Sequence, residues 1–80
     1  MENKEKYYKI FEQSLSISKD KINDNLEYNE VPEWDSIGHM TLIADLEEAF
    51  QITFETDDII DFSSFSKGKK ILKEKYKIEI

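Results

Sequence analysis

The segment "EWDSIGHM", residues 33–40, contains the side chains with the clearest potential for chemistry in this chain. Ser36 follows Asp35, and His39, the only histidine, lies three residues after the serine. Positions three apart on a helix can touch, so His39 could activate the Ser36 hydroxyl as a nucleophile. The alternatives are that Ser36 caps a helix or that a group is attached to it.

A serine hydrolase needs an oxyanion hole and an acid that orients the imidazole of its histidine. The sequence has neither a Gly-x-Ser-x-Gly elbow nor a second histidine. One His and no Cys exclude a usual zinc site. The segment "DKINDNLEYNEV" lacks the glycine and the terminal Glu spacing of an EF-hand. These absences argue against serine-hydrolase chemistry at Ser36 and against a metal site, and His39 is expected to pack at the edge of the core.

The composition is that of one small acidic domain, residues 1–80. Eleven Lys, no Arg and 18 acidic residues give a net charge of −7, which disfavours nucleic acid and anionic membranes as partners. The absence of cysteine fits a reducing compartment. Since neither a signal peptide nor a membrane-spanning apolar run is visible, we expect a monomeric cytoplasmic protein without membrane insertion.

The charge is distributed unevenly along the chain. Residues 24–61 carry twelve acids and no Lys, whereas residues 1–23 have a net charge of +1 and residues 62–80 a net charge of +4, which sums to −7. Such a run is either a solvated surface or an acidic field that attracts a basic partner.

Apolar periodicity predicts an all-α fold, a small four-helix bundle with a long loop and a short third helix. The predicted helices span residues 3–16, 36–50, 57–61 and a last segment that ends near Tyr76. Their expected N-caps are Asp35 or Ser36 for the second helix, Thr56 for the third, and Ser63 or Ser64 for the last.

The predicted loop, residues 17–35, contains Pro32 and several Asn and Asp residues. Five of its apolar side chains are expected to attach it to the core: Ile17, Ile22, Leu26, Tyr28 and Val31. Trp34 is expected to cover the bundle beside this loop, or alternatively to shield a group on Ser36.

The second helix has two apolar stripes at 100° per residue. The first is expected to face the core and contains Leu42, Ile43, Leu46, Ala49 and Phe50. The second lies roughly opposite, contains Ile37, Met40 and Ala44, and is bordered by Thr41, Glu47 and Glu48. A second stripe is covered either by another helix of the domain or by a docking partner, and the small size of the bundle favours the partner.

Residues 35–59, "DSIGHMTLIADLEEAFQITFETDDI", resemble the signature of the acyl carrier protein family. The pattern is Asp-Ser before an apolar residue, an apolar helix, the run Leu46-Glu47-Glu48-x-Phe50, and an apolar–acidic loop. The resemblance extends back through residues 9–28 and covers nearly the whole chain, including its length and charge.

The resemblance implies that Ser36 receives 4′-phosphopantetheine from coenzyme A through a phosphopantetheinyl transferase, which recognises Asp35. The thiol of the arm would carry an acyl or aminoacyl group as a thioester, and an acyl chain would lie between the helices. The carrier itself would have no catalytic residues. The partners implied are this holo-carrier synthase, a loading ligase or transferase, and downstream biosynthetic enzymes with basic docking surfaces. The positions implied to dock these enzymes are Ile37, Met40, Ala44, Glu47 and Glu48.

Several residues depart from the pattern of fatty-acid carriers. Trp34 stands where Gly is usual, Ile37 where Leu is usual, and Gly38 and His39 are also atypical. These departures leave fatty-acid synthesis and specialised glycan or secondary-metabolite synthesis open. An aminoacyl or peptidyl carrier and an unmodified carrier-like interaction module also remain alternatives. Gly68 is expected to weaken the last helix, where Ala would be better by ~1 kcal/mol.

Overall fold

The chain folds into four α-helices, which confirms the all-α class. The computed structural model describes residues 2–80. Its helices are α1 (Asn3–Leu15), α2 (Ser36–Phe50), α3 (Thr56–Asp61) and α4 (Phe65–Tyr76), with one 3₁₀ turn, Lys19–Lys21, between α1 and α2. Apart from an isolated bridge between Glu27 and Ser64, these residues contain no β structure.

Helices α1 and α2 run in opposite directions. The Nζ atom of Lys6, near the start of α1, lies 5.1 Å from the centre of the Phe50 ring at the end of α2. Ser14, near the end of α1, donates a hydrogen bond to the carboxylate of Asp45. The start of α1 therefore lies beside the end of α2, and the end of α1 lies beside the middle of α2.

The core is centred on aromatic rings from α1, the loop and α4. The Phe11 ring centre lies 4.9 Å from that of Tyr7, 5.3 Å from that of Trp34 and 4.7 Å from that of Phe65. All four residues are fully buried, and the Tyr7 hydroxyl donates to the Phe65 carbonyl at 2.7 Å. The core-facing stripe of α2 joins this cluster through the buried residues Leu42, Ile43 and Leu46.

The helix caps differ from the predictions in one case. The Ser64 hydroxyl accepts a hydrogen bond from the Lys67 N–H at 2.9 Å, so Ser64 caps α4. The expectation that Thr56 caps the third helix is wrong, because Thr56 is the first residue of α3. The Glu55 carbonyl precedes it and accepts from the N–H groups of Asp58 and Ile59.

Asp58 joins α3 to α4. Its carboxylate is 1 % exposed and accepts hydrogen bonds from the Lys75 ammonium and the Tyr76 hydroxyl, each at 2.6 Å. The same Tyr76 hydroxyl accepts from the Glu55 N–H at 3.0 Å. The hydrogen bonds from Lys75 and Tyr76 lower the pKa of the Asp58 carboxyl below its ordinary value.

Gly68 does not weaken α4 in the way the sequence suggested. It is the fourth residue of the helix and is buried. A Cβ placed there would collide with the Tyr7 hydroxyl and with the Phe62 ring, whose Cε1 would be 2.6 Å away. The expectation that Ala would be better is therefore wrong, because α4 approaches its neighbours too closely to accept a side chain.

The long loop is held to the core by fewer side chains than predicted. Ile17, Ile22 and Leu26 are buried, and Val31 is half-buried against the core. The predicted core position of Tyr28 is wrong, because this residue is 39 % exposed. Its surroundings belong to the candidate site.

Candidate functional site

Ser36 is the first residue of α2 and is exposed. The preceding Asp35 is the N-cap, and its carboxylate accepts a hydrogen bond from the Gly38 N–H at 2.9 Å. The structure thus decides between the two cap candidates in favour of Asp35. The Ser36 hydroxyl is left accessible at the positive end of the helix dipole.

The Ser36 hydroxyl contacts the hydroxyl of Tyr28. The two hydroxyl oxygens lie 3.3 Å apart, and either can be the donor. This distance is longer than the usual 2.7–2.8 Å of an O–H···O bond, so the contact is weak. The pairing was missed from sequence because Tyr28 was assigned to the core, and the seven residues between the two positions cross a turn-rich loop.

Both ring nitrogens of His39 form hydrogen bonds with groups other than Ser36, and these bonds join three parts of the fold. Its Nδ1 accepts a hydrogen bond from the Trp34 indole N–H at 3.0 Å. Because that nitrogen must accept, the proton lies on Nε2, which donates to the Ile59 carbonyl at 2.9 Å. His39 is half-buried. These contacts confirm a packing role at the edge of the core, and both nitrogens are occupied.

Trp34 lies in the interior, with no exposed surface. Its ring stacks on the His39 ring, with centres 6.1 Å apart, and meets the Phe11 ring edge-on. The predicted covering role is therefore confirmed. A buried ring has no face available for a group on Ser36, so the shielding alternative is not supported.

Gly38 allows the loop to cross the first turn of α2. A Cβ at this position would collide with the backbone carbonyl oxygen of Glu33 and lie 3.2 Å from Leu15 Cδ2. The loop therefore comes close enough to bring Trp34 beneath the helix. Gly38 thus permits the loop position from which Trp34 hydrogen-bonds to His39.

The second apolar stripe of α2 is exposed. Ile37 is 78 % exposed and Met40 56 % exposed, and Ala44 also lies at the surface. Because these side chains are exposed, the alternative that another helix of residues 2–80 covers the stripe is excluded.

The acidic border of this stripe is narrower than predicted. Glu48 is exposed. Glu47 is half-buried, and its carboxylate accepts a hydrogen bond from the Phe54 N–H at 2.8 Å, so it fixes the segment that follows α2. Of the two glutamates predicted at the border, Glu47 is therefore engaged within the fold, while Glu48 remains exposed.

A small cleft of about 230 Å³ opens beside Tyr28, between the start of α2 and α3. Its lining includes the apolar side chains of Ile59, Ile60 and Phe62, and Ile60 is 72 % exposed. A larger groove of about 720 Å³ runs along α1 and the 3₁₀ turn and does not include Ser36. The Ser36 end of the molecule thus combines a serine hydroxyl, a tyrosine hydroxyl and exposed apolar surface.

Three further observations concern metal binding, membrane-spanning helices and similarity to known proteins. Within residues 2–80, His, Asp and Glu side chains do not gather in a group of three that could hold a metal ion. In the same part of the chain, every helix is too short or too polar to cross a membrane. A scan against protein-family models and a search of curated proteins both find no match to this chain.

Proposed function

We propose that this protein is a carrier whose Ser36 holds a 4′-phosphopantetheine arm and presents acyl intermediates to partner enzymes. The observation that carries the proposal is the state of Ser36. Its hydroxyl is exposed at the first residue of α2, while the neighbouring Asp35 performs the capping. The resemblance of residues 35–59 to the acyl carrier signature supplies the identity of the attached group.

The residues present fit such a group. A phosphodiester is an anion, and the N-terminus of a helix favours negative charge close to it. Ser36 would hold the arm covalently, and the cleft beside Tyr28 offers apolar surface for a short cargo. When bound, the arm supplies a terminal thiol that carries the cargo as a thioester.

The attachment step requires only the serine from this chain. The Ser36 hydroxyl oxygen bonds to the phosphorus of coenzyme A that bears the pantetheine. The pyrophosphate bond at that phosphorus breaks, 3′,5′-adenosine diphosphate leaves, and a base takes up the serine proton. The transferase supplies this base and the Mg²⁺, so this chain is a substrate of that reaction and not an enzyme.

Partner docking would use the exposed stripe formed by Ile37, Met40 and Ala44. Enzymes with basic surfaces would meet Glu48 at its border. Glu47 would act indirectly, by fixing the segment after α2 through Phe54. Fatty-acid synthesis and specialised glycan or secondary-metabolite synthesis are both compatible with this arrangement, in a monomeric cytoplasmic protein.

The test is modification in vitro. Incubation with coenzyme A, Mg²⁺ and a broad-specificity phosphopantetheinyl transferase should add one phosphopantetheine to the wild type. Ser36→Ala should abolish the addition. Ser66→Ala should not, although Ser66 is also an exposed serine in the first turn of a helix. Modification that persists in Ser36→Ala, or none in the wild type, would overturn the proposal.

A second variant tests the role assigned to Asp35. Asparagine caps helices as well as aspartate does, so Asp35→Asn should keep the cap and the melting temperature. It should nevertheless slow modification, because the carboxylate that the transferase recognises is lost. An unchanged rate would remove Asp35 from the recognition site while leaving Ser36 as the attachment point.

A further inference from the structure

Tyr28 is held firmly although it is partly exposed. Its N–H donates to the Ser63 carbonyl at 2.8 Å. The Phe65 N–H donates to the Leu26 carbonyl at 2.9 Å, which attaches the same stretch of loop to the start of α4. The Tyr28 ring meets the His39 ring edge-on, with centres 5.4 Å apart, and meets the Trp34 ring edge-on at 6.2 Å.

These contacts fix where the phenol hydroxyl lies. The hydroxyl stands 3.3 Å from the Ser36 hydroxyl oxygen. In the unmodified protein this is a weak contact between two groups that can each donate or accept. The contact holds the serine side chain in one region without enclosing it.

Esterification of Ser36 would change the roles of the two groups. A serine oxygen in a phosphodiester has no proton, so Tyr28 would be the donor of the pair. A phosphodiester also brings anionic oxygens, and hydrogen bonds to ionised acceptors are shorter and roughly twice as strong as neutral ones. The tyrosine hydroxyl would therefore interact more strongly with the modified serine than with the free one.

We infer that Tyr28 is a positioning residue for the phosphodiester on Ser36. Its hydroxyl orients the serine before modification and donates a hydrogen bond to the phosphodiester afterwards, which restricts the directions in which the arm can leave α2. This inference rests on the proposed carrier function. It assigns a role to a loop residue that the sequence pattern had placed in the core.

The decisive experiment compares melting temperatures before and after modification. Adding negative charge to a protein of net charge −7 changes its stability in any case. The change in melting temperature on modification is therefore compared between the wild type and a variant. The change in melting temperature on modification should be more favourable in the wild type than in Tyr28→Phe, by about 4 °C. Tyr8→Phe is the matched control, because Tyr8 lies on α1 and packs against Phe65.

The ring signals of Tyr28 in the wild type provide a test that does not depend on whether Tyr28→Phe folds correctly. With ¹³C-labelled tyrosine, modification should shift the ring signals of Tyr28 more than those of the other three tyrosines. The ³¹P resonance of the modified protein should also differ between the wild type and Tyr28→Phe, and coincide between the wild type and Tyr8→Phe.

The outcomes separate the two proposals. If the wild type accepts no phosphopantetheine, the proposed function fails. If modification proceeds but the melting differences are equal in the wild type and Tyr28→Phe, and the Tyr28 signals do not move, the positioning role is overturned while the carrier function stands.

Discussion

Within residues 2–80, the hydroxyls of Tyr28 and Tyr76 hydrogen-bond to other side chains, and the settings of these two contacts differ. At the α3–α4 junction, Tyr76 donates to the buried carboxylate of Asp58 at 2.6 Å. At the start of α2, the Tyr28 hydroxyl lies 3.3 Å from the exposed hydroxyl of Ser36. The first contact is short, charge-assisted and shielded, so it stabilises the fold. The second is long and solvated, so it contributes little to stability and leaves the serine available for chemistry.

The largest effect is expected at the buried pair. Asp58→Ala removes the acceptor for both the Lys75 ammonium and the Tyr76 hydroxyl. The free energy of unfolding should fall by about 2–3 kcal/mol, because hydrogen bonds to a charged group are the strong ones. Ser36→Ala should lower it by less than about 0.5 kcal/mol, as is usual at exposed positions. Urea unfolding of both variants measures the contrast, and equal losses would contradict it.

A somewhat smaller loss is expected at Gly68. Gly68→Ala should destabilise the protein by about 1–3 kcal/mol, because the new methyl group meets Phe62 and Tyr7 in a packed core. Thermal melting followed by circular dichroism measures the effect. A stabilised variant would show that α4 can move away from α1, in agreement with helix propensity alone.

The junction should also respond to acid. The hydrogen bonds from Lys75 and Tyr76 lower the pKa of Asp58 in the folded state. A depressed folded pKa gives stabilisation that is fully present above the unfolded value of 3.8 and is lost as pH falls through the folded pKa. The stability difference between wild type and Asp58→Asn should therefore be constant from neutral pH down to about 4 and shrink below it. A constant difference down to pH 2 would contradict this assignment.

The smallest effect on stability, and a specific effect on function, is expected at Glu48. Glu48→Lys should leave the melting temperature nearly unchanged because the residue is exposed, but it should slow phosphopantetheine transfer at low salt. Glu74→Lys is the matched control, since it changes the net charge equally on α4. The difference between the two rates should shrink as salt is raised, because screening shortens the reach of surface charges. Equal rates at low salt would show that Glu48 is only a solvated residue.

The sequence predicted α1, α2 and α4 well, because each carries a clear apolar period or a capping residue. It placed α3 within one residue, although the expected cap, Thr56, is part of that helix. It also predicted the exposed stripe, since Ile37 and Met40 fall opposite Leu42 and Leu46 on a 100° helix. It did not predict the backbone conformation at the helix ends. The ends of α1, α2 and α4 adopt left-handed backbone at Ser16, Gln51 and Lys77, without the glycine that usually marks such ends.

The other errors arise from contacts between residues that are distant in the sequence or lie outside the same helix. Gly68 was expected to weaken α4 because helix propensity depends only on local sequence. The absence of a side chain at this position is required by Tyr7, which is 61 residues away in sequence. Glu47 looked like a surface acid because its acceptor role depends on the backbone of Phe54 after the helix turns back. Two of the twelve clustered acids, Asp24 and Asp58, find ammonium partners in Lys69 and Lys75 of α4, so the acidic run is partly compensated in space.

The central claim is that Ser36 carries a phosphopantetheine arm in the cell. Its most direct test is the intact mass of the protein purified from its own host, followed by peptide mapping of residues 33–40. The proposal predicts one added phosphopantetheine on Ser36, with or without cargo on its thiol. A protein whose entire population has the unmodified mass would contradict the carrier function and favour an interaction module that uses the exposed stripe of α2.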